Sequence, residues 1–394
     1  MGVKRNAIAA LVLGAALASG TADAGFHVGG VGECAGCHTM HNSLGGQRMT
    51  VNSLAVGRAN PFLLRGSDTS STCLACHHTT EATPQTYQVS SPFNATTSGG
   101  RTAPSQLTPG GDFGYGARHN IVSADFSYTK ENLMSRAPGG TYPSDGFSCV
   151  SCHDPHGAYR HLPGTGEQAR SGAPIRESGS YGAEPGGDTA VGTFRLLGGV
   201  GYQPKSLAGS YAFTSQAPVA VSPEVYNRPE GETDTRVAYG KGMSEWCGNC
   251  HGGMHSDQSP EPGNFRHPAG ADARLGSALA ANYNRYDFRT GVLDADGSAA
   301  YSSLVPFEMN TEVRADLRAA ILSAAGPSAT GTESVACVTC HRAHASAFPD
   351  MGRWRFDSVM LWDGYPSPIW YYDRTQYYFA AYQRSLCNKC HVRD

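Results

Sequence analysis

The sequence predicts a single, mostly irregular and loop-rich domain with a few short helices, and three observations support this prediction. The 394 residues include 49 glycines and 23 prolines, which favour turns over long regular elements. The pattern Cys-x-x-Cys-His occurs six times and uses all 12 cysteines. The spacing between copies is irregular, so the chain is not a solenoid with a fixed period.

The chain begins with a segment typical of a secretory signal peptide over residues 1–24. Lys4 and Arg5 precede an apolar run, and cleavage after Ala24 is expected to leave one mature domain over residues 25–394. No cysteine lies at the cleavage point, which argues against a lipid anchor. No later apolar stretch is long enough to span a bilayer. With 30 basic and 33 acidic residues, the chain has no basic footprint for nucleic acid.

Regular structure is predicted in only three places. An apolar stripe with a glycine and a proline after it predicts a helix over about residues 311–325. Two further helices are predicted over residues 272–283 and 375–386, the second leading into the last motif. The segments 96–116, 137–146 and 171–187 are rich in Gly, Pro, Ser and Thr and are predicted to form turns.

Cys-x-x-Cys-His is the attachment signature of c-type haem. Two cysteines three residues apart lie on one side of a single turn and can bond two vinyl groups of one porphyrin, while the histidine supplies the proximal iron ligand. Disulfides or zinc sites would also use many cysteines, but neither explains a histidine after the second cysteine in every copy. The motifs are Cys34–Cys37–His38, Cys73–Cys76–His77, Cys149–Cys152–His153, Cys247–Cys250–His251, Cys337–Cys340–His341 and Cys387–Cys390–His391.

Nine further histidines remain for the distal faces of the irons. Two of them, His78 and His161, are expected to be solvated or to contact propionates. Seven candidates therefore remain for six positions, and either His27 or His255 is expected to serve another purpose. The seven candidate distal ligands are His27, His41, His119, His156, His255, His267 and His344.

Sequence position indicates how some candidates would act. His41, His156 and His344 each lie three residues beyond a proximal histidine, too close to reach the far face of their own haem. They are therefore expected to bind the iron of a neighbouring haem. If every iron has two histidines, no position is open for a substrate, and electron transfer remains as the function. A multihaem reductase would need at least one open haem.

Stretches along the whole mature chain resemble a known family. The outer-membrane cytochrome S family consists of filament-forming extracellular c-type cytochromes with six haems. The resemblance is carried by residues 26–31, 34–46, 108–114, 119–122, 137–143, 151–157, 201–206, 243–247, 266–270, 340–346, 382–384 and 386–391.

This resemblance implies a multihaem c-type cytochrome built around a continuous stack of six bis-histidine haems. It implies that His41 binds the haem of the fifth motif, at His341, in the next copy of the chain. The implied function is a secreted, cell-surface conduit that takes electrons from upstream donor cytochromes and passes them to metal oxides or electrodes. The alternative is a monomeric periplasmic or surface carrier in which all six distal ligands are internal.

Overall fold

The computed structural model describes residues 34–41, 43–44, 47–48, 62–78, 89–90, 117–164, 168–204, 207, 209, 211–223, 236–254, 267–286, 300–346, 348–361 and 384–391. Regular elements in these ranges are short and are joined by long irregular segments, which confirms the loop-rich fold with a few short helices. In the described residues, no helix combines the length and apolar character needed to cross a membrane.

The helices carry most of the Cys-x-x-Cys-His motifs. Helices α1 and α6 are single turns that begin at the first cysteine of a motif, whereas α2 and α3 end at a motif histidine. Asp68 caps α2 by accepting a hydrogen bond from the backbone N–H of Ser71 (2.7 Å). The helices are α1 (Cys34–Cys37), α2 (Thr69–His77), α3 (Met243–His251), α4 (Gly276–Arg285), α5 (Arg314–Ile321) and α6 (Cys337–Cys340).

The described chain contains four small sheets, of which the β3–β10 sheet joins the most distant segments. Strands β1 and β2, β3 and β10, and β8 and β9 form antiparallel pairs, and the fourth sheet has the order β5-β4-β7-β6 with β6 and β7 parallel. The strands are β1 (Ser43–Leu44), β2 (Gln47–Arg48), β3 (Ala117–Arg118), β4 (Arg160–His161), β5 (Gln168–Ala169), β6 (Ile175–Glu177), β7 (Ala190–Gly192), β8 (Val219–Val221), β9 (Ala238–Lys241) and β10 (Ala345–Ser346).

Two of the predicted helices are present with different limits. The helix predicted at 311–325 is α5, which begins later because the N–H of Thr311 bonds to the carbonyl of Gly240 (3.1 Å) beside β9. The helix predicted at 272–283 is α4, which begins later because residues 273–275 pair with residues 333–335. In both cases backbone pairing with a distant segment overrides local helical preference.

The other predictions of local structure had mixed outcomes. Most of the helix predicted at 375–386 lies outside the described residues. Its described end is wrong, because the backbone of Ser385 is not helical (φ −47°, ψ 146°) and a 3₁₀ turn follows at Leu386–Lys389. The turn at 137–146 is confirmed, with the N–H of Ala137 bonded to the carbonyl of Tyr142 (2.8 Å). The prediction for 171–187 is partly wrong, since it contains β6, and 96–116 lies outside the described residues.

The apolar core is divided into small clusters that lie beside the motifs. One cluster packs Tyr283, Phe307 and Trp354 against motif cysteines, including Cys340 and Cys390. Other clusters include Cys149 or Cys152 among their partly buried members. A cluster without a motif cysteine joins α5 to β8 and β9. Most of the described core is therefore organised around the motifs.

The α5 cluster gives a test of the packing. Leu317 is fully buried against β8 and β9, so Leu317→Ala is expected to lower the free energy of unfolding by about 2–5 kcal/mol. The control is Leu322→Ala at the end of the same helix, where the side chain is 88% exposed and the change should stay within about 0.5 kcal/mol. Denaturant titration followed by tryptophan fluorescence measures both, and equal losses would contradict the assigned packing.

Candidate functional site

Every motif forms one helical turn. In the motifs at α1 and α6, and in those at the 3₁₀ turns Cys149–Ser151 and Leu386–Lys389, the N–H of the histidine bonds to the carbonyl of the first cysteine, at 2.8–3.0 Å. In the other two motifs the same residues lie within α2 and α3. Positions i, i+3 and i+4 share one face of a helical turn, so both thiols and the imidazole of each motif point to the same side. This is the arrangement that haem attachment requires. All twelve cysteines lie in the described residues, and none is in a disulfide.

The proximal imidazoles are held in a defined tautomer. A carbonyl oxygen only accepts hydrogen bonds, so a ring nitrogen bonded to one must carry the proton. Nδ1 donates in this way in four motifs, which leaves the Nε2 lone pair available for a metal ion, as is usual for metal-binding histidines. The accepting carbonyls belong to Phe62 for His38 (2.8 Å), Arg195 for His153 (2.8 Å), Pro138 for His251 (2.9 Å) and Asp350 for His341 (2.8 Å).

The first, third and fifth motifs share a further feature, here called the backbone clamp. In each, a loop pairs with the motif through two backbone hydrogen bonds and also supplies the carbonyl that accepts from Nδ1. Each clamp loop contains a non-glycine residue in the left-handed region, at Leu63 (φ 53°), Arg195 (φ 53°) and Asp350 (φ 56°). Such conformations are strained and persist only where surrounding contacts hold them. The clamps pair His38 with Leu64, His153 with Leu197 and His341 with Gly352.

Four proximal histidines face a second histidine from elsewhere in the chain. A first-row metal ion binds an imidazole nitrogen at about 2 Å, so two rings on opposite sides of one ion have centroids about 6 Å apart. The four pairs match this separation, and their residues therefore fit an iron with two axial histidines. The pairs are His38 with His156 (6.3 Å), His153 with His344 (6.3 Å), His251 with His119 (6.1 Å) and His391 with His267 (6.1 Å).

Local contacts position the distal rings. The carboxylate of Asp154 accepts hydrogen bonds from the N–H groups of His156 (3.1 Å) and Ala158 (2.7 Å), which fixes the turn after the third motif. Pairing of β3 with β10 places His119 beside His344, because the N–H of His119 bonds to the carbonyl of His344 (3.1 Å). Nδ1 of His119 donates to the carbonyl of Ala343 (2.7 Å). Burial lowers the pKa of His119, which favours the neutral form that binds metals.

Consecutive motifs adjoin one another in chain order. The backbone N–H of Cys149 donates to the Ser70 hydroxyl (3.2 Å) in α2, and that of Cys337 donates equivalently to Ser244 (3.0 Å) in α3. Each serine lies three residues before the first cysteine of its own motif. Successive motifs lie close enough for a thiol of one to raise the pKa of a thiol of the other. This holds along the whole series, in the pairs Cys37 with Cys76, Cys73 with Cys149, Cys152 with Cys250, Cys247 with Cys337 and Cys340 with Cys387. The six motifs therefore form one unbranched row.

The remaining candidates are not paired in this way. His41 is exposed, whereas His27 and His255 lie outside the described residues. The ring of His341 contacts Phe356 (5.4 Å), and among the described residues no histidine ring lies opposite it. His161 is only 3% exposed in β4, so it is not solvated, and the alternative that it contacts a propionate stays a prediction. Nδ1 of half-buried His78 bonds with the Ser90 hydroxyl (2.9 Å).

The backbone clamps were not predicted from the sequence. The signal was present in part, because in both of the first two clamp loops Leu-Leu follows the residue whose carbonyl accepts from Nδ1, in Phe62-Leu-Leu-Arg65 and Arg195-Leu-Leu-Gly198. The third clamp has a different sequence, Asp350-Met-Gly-Arg353, and its equivalence is visible only in the hydrogen bonds.

No family profile matches the chain, but a curated protein and two solved structures do. The chain is 45% identical to the C-type cytochrome OmcS of Geobacter sulfurreducens (strain ATCC 51573 / DSM 12127 / PCA), over 96% of this chain and 97% of that protein. An outer membrane cytochrome S filament from Geobacter sulfurreducens is similar with a TM-score of 0.82 and 42% identity, over 94% of this chain and 100% of that one. A cryo-EM structure of OmcS nanowires gives a TM-score of 0.80, with the same identity and coverage.

The His119–His251 pair provides a test of the axial ligands. In haem-loaded protein, His119→Ala is expected to convert one haem from low to high spin, because His251 would then be the only histidine bound to that iron. Electron paramagnetic resonance and the Soret spectrum measure the change. The control is His78→Asn, which should leave all spin states unchanged. A fully low-spin His119→Ala protein would show that His119 is not a ligand.

Proposed function

Because this chain belongs to the OmcS family of c-type cytochromes, we propose that it is a secreted, extracellular electron conduit that polymerises head to tail. In this proposal the signal peptide at residues 1–24 directs export, and residues 25–394 form one domain with six covalently attached haems. Bound haem iron supplies one-electron redox chemistry. Upstream cytochromes would donate electrons, and metal oxides or electrodes would accept them.

The observation that carries this proposal is the unbranched row of motifs. Since cysteines of each motif lie near those of the next, haems attached to them would be neighbours along the row. A row of this kind favours conduction from end to end over storage at isolated sites. The paired histidines support electron transfer rather than catalysis, because an iron with two protein ligands has no position for a substrate.

The distal ligands of the odd-numbered motifs follow a rule of two. The histidine that follows the third motif, His156, lies opposite the proximal His38 of the first motif. The histidine that follows the fifth motif, His344, lies opposite the proximal His153 of the third. By the same rule, the iron at His341 would take its distal ligand from the histidine that follows a seventh motif. The first motif of a second copy, which is followed by His41, would take the place of that motif.

The even-numbered motifs follow a parallel rule. His119 precedes the third motif and lies opposite His251 of the fourth, while His267 precedes the fifth motif and lies opposite His391 of the sixth. A histidine that precedes the first motif should therefore serve the second, and His27 has that position. By this rule His27 is the distal ligand of the iron at His77, and His255 binds no iron.

The surface around His41 supports a contact between copies. His41 is exposed next to Met40, which is 81% exposed, and both follow directly from the first motif. His341 keeps its Nδ1 bond to the clamp loop, so its Nε2 is oriented for a metal ion as in the paired sites. A contact from one end of the chain to a different region of the next copy does not close on itself and generates a filament. In the alternative monomeric carrier, an internal ligand would replace His41.

Replacing His41 distinguishes the polymer from the monomer. His41→Ala is expected to abolish the filaments seen by cryo-electron microscopy of secreted wild-type holoprotein, because the bond from His41 to the fifth haem of the next copy is lost. The isolated variant should carry one high-spin haem per chain, and added imidazole should restore the low-spin spectrum without restoring filaments.

The matched control for this experiment is Ser43→Ala, an exposed position two residues further along the chain. It should form filaments normally. Discrete wild-type particles with only low-spin haems would leave the monomeric carrier. Filaments of normal length from His41→Ala would rule out His41 as the link between copies.

The second rule makes opposite predictions for the two remaining histidines. His27→Ala is expected to produce one high-spin haem, because the iron at His77 loses its distal ligand. His255→Ala should leave the spin-state spectrum unchanged, and it serves as the control for His27→Ala. Electron paramagnetic resonance of the two purified variants measures the difference, and the reverse result would refute the even-motif rule.

A further inference from the structure

A glutamate lies fully buried at the junction between the fourth and fifth motifs. Glu308 has no exposed surface, and its Oε1 accepts a hydrogen bond from the N–H of Met243 (2.6 Å) at the start of α3. The next residue of α3, Ser244, accepts a hydrogen bond from the N–H of Cys337, the first residue of α6 (3.0 Å). Glu308 therefore contacts the helix of the fourth motif at the point where it meets the fifth.

The charged form of this carboxyl is poorly supported. Its second oxygen, Oε2, is buried without a hydrogen-bond partner, and an unpaired buried charge is costly. Burial and the neighbouring Glu245 carboxylate raise the pKa of Glu308 to about 8, against the lowering effect of hydrogen bonds from the start of α3. The group can therefore exist in either protonation state near neutral pH.

The groups that face Glu308 are few. Glu245 and Cys247 face it from α3, and Cys337 faces it from α6. Backbone pairing places Tyr239 of β9 and Ser334 on its remaining sides. Thioether bonds to haem remove both thiols from titration. In the haem-loaded protein, Glu245 is therefore the carboxyl group that remains beside Glu308. Glu245 is half-buried, and its Oε1 accepts a hydrogen bond from the N–H of Ala271 (2.9 Å).

The equivalent junction between the second and third motifs lacks this feature. There Asp68 caps α2, and each of its carboxylate oxygens accepts a backbone N–H, from Ser71 (2.7 Å) and from Ala124 (2.7 Å). Its negative charge is thus supported by hydrogen bonds at both oxygens, whereas Glu308 has a bare oxygen. The two junctions share the serine contact to the next motif but differ in this carboxyl.

We propose that Glu308 couples proton binding to electron transfer at the junction of the fourth and fifth motifs. The inference rests on the proposed function only in requiring redox-active haems there. Haem bound at these motifs would supply one-electron chemistry, and a gained electron would lower the local positive charge near Glu308 by one. The Glu308 carboxylate then takes one proton from solvent, and it returns the proton when the electron moves on.

Infrared difference spectroscopy of the purified holoprotein tests this directly. Reduced-minus-oxidised spectra of the wild type near neutral pH should gain a carboxylic acid C=O band that shifts in D₂O, and Glu308→Gln should lose that band. The control is Glu312→Gln, an exposed glutamate that pairs with Lys241, which should keep it. A wild-type spectrum without the band, or an undiminished band in Glu308→Gln, would overturn the proposal.

A second variant decides the question even if Glu308→Gln does not fold. Because the Glu245 carboxylate favours protonation of Glu308, Glu245→Gln should move proton uptake on reduction to lower pH. An unchanged pH range would also overturn the proposal. The outcome is separate from filament formation. The band in unpolymerised six-haem protein would support proton uptake by Glu308 and not the filament. Filaments without the band would support the filament and overturn proton uptake by Glu308.

Discussion

The fold depends on a requirement seen at four of the six motifs: an imidazole must present Nε2 to a metal ion while its own Nδ1–H is bonded to the protein. One helical turn directs the thiols and the ring to the same side, and a carbonyl from another segment fixes the ring in the four motifs with described acceptors. These carbonyls come from loops 24, 42, 113 and 9 residues away from the histidine. Much of the tertiary structure consists of the segments that bring them there.

This requirement explains why so little regular secondary structure is needed. Large porphyrins bury apolar surface that a long helix or wide sheet would otherwise cover, and the described core is correspondingly split into small clusters beside the motif cysteines. Spacers between motifs vary widely in length because the entropy cost of closing a loop rises only slowly with its length. Strict geometry at the motifs is therefore compatible with loose geometry between them.

The sequence was most informative where the chemistry is local. The motifs and their one-turn geometry depend on five adjacent residues, and the chemistry of haem attachment followed from them. Which distal histidine faces which proximal one depends on contacts over as many as 191 residues, as between His153 and His344, and could not be read from spacing. The limits of α4 and α5 were missed for the same reason, since strand-like pairing with distant segments competes with helix formation. The likeness of the first, third and fifth motifs is hidden in the sequence, because what they share is a set of hydrogen bonds. Only two of their three clamp loops are similar in sequence.

A repeat of two motifs also has a consequence for the ends of the chain. In the proposed arrangement, the irons of the first and third motifs take their distal ligands from the histidines that follow the third and fifth motifs. Among the described residues no histidine ring lies opposite His341, and His41 is exposed. In the proposed filament, His41 of one copy would bind the iron at His341 of the next. In such a row electrons cross every junction in series, so a charge buried at one junction affects conduction through the whole row. A carboxyl that changes its protonation with the electron keeps the local charge nearly constant, and the bare oxygen of Glu308 lies at an inner junction of this row.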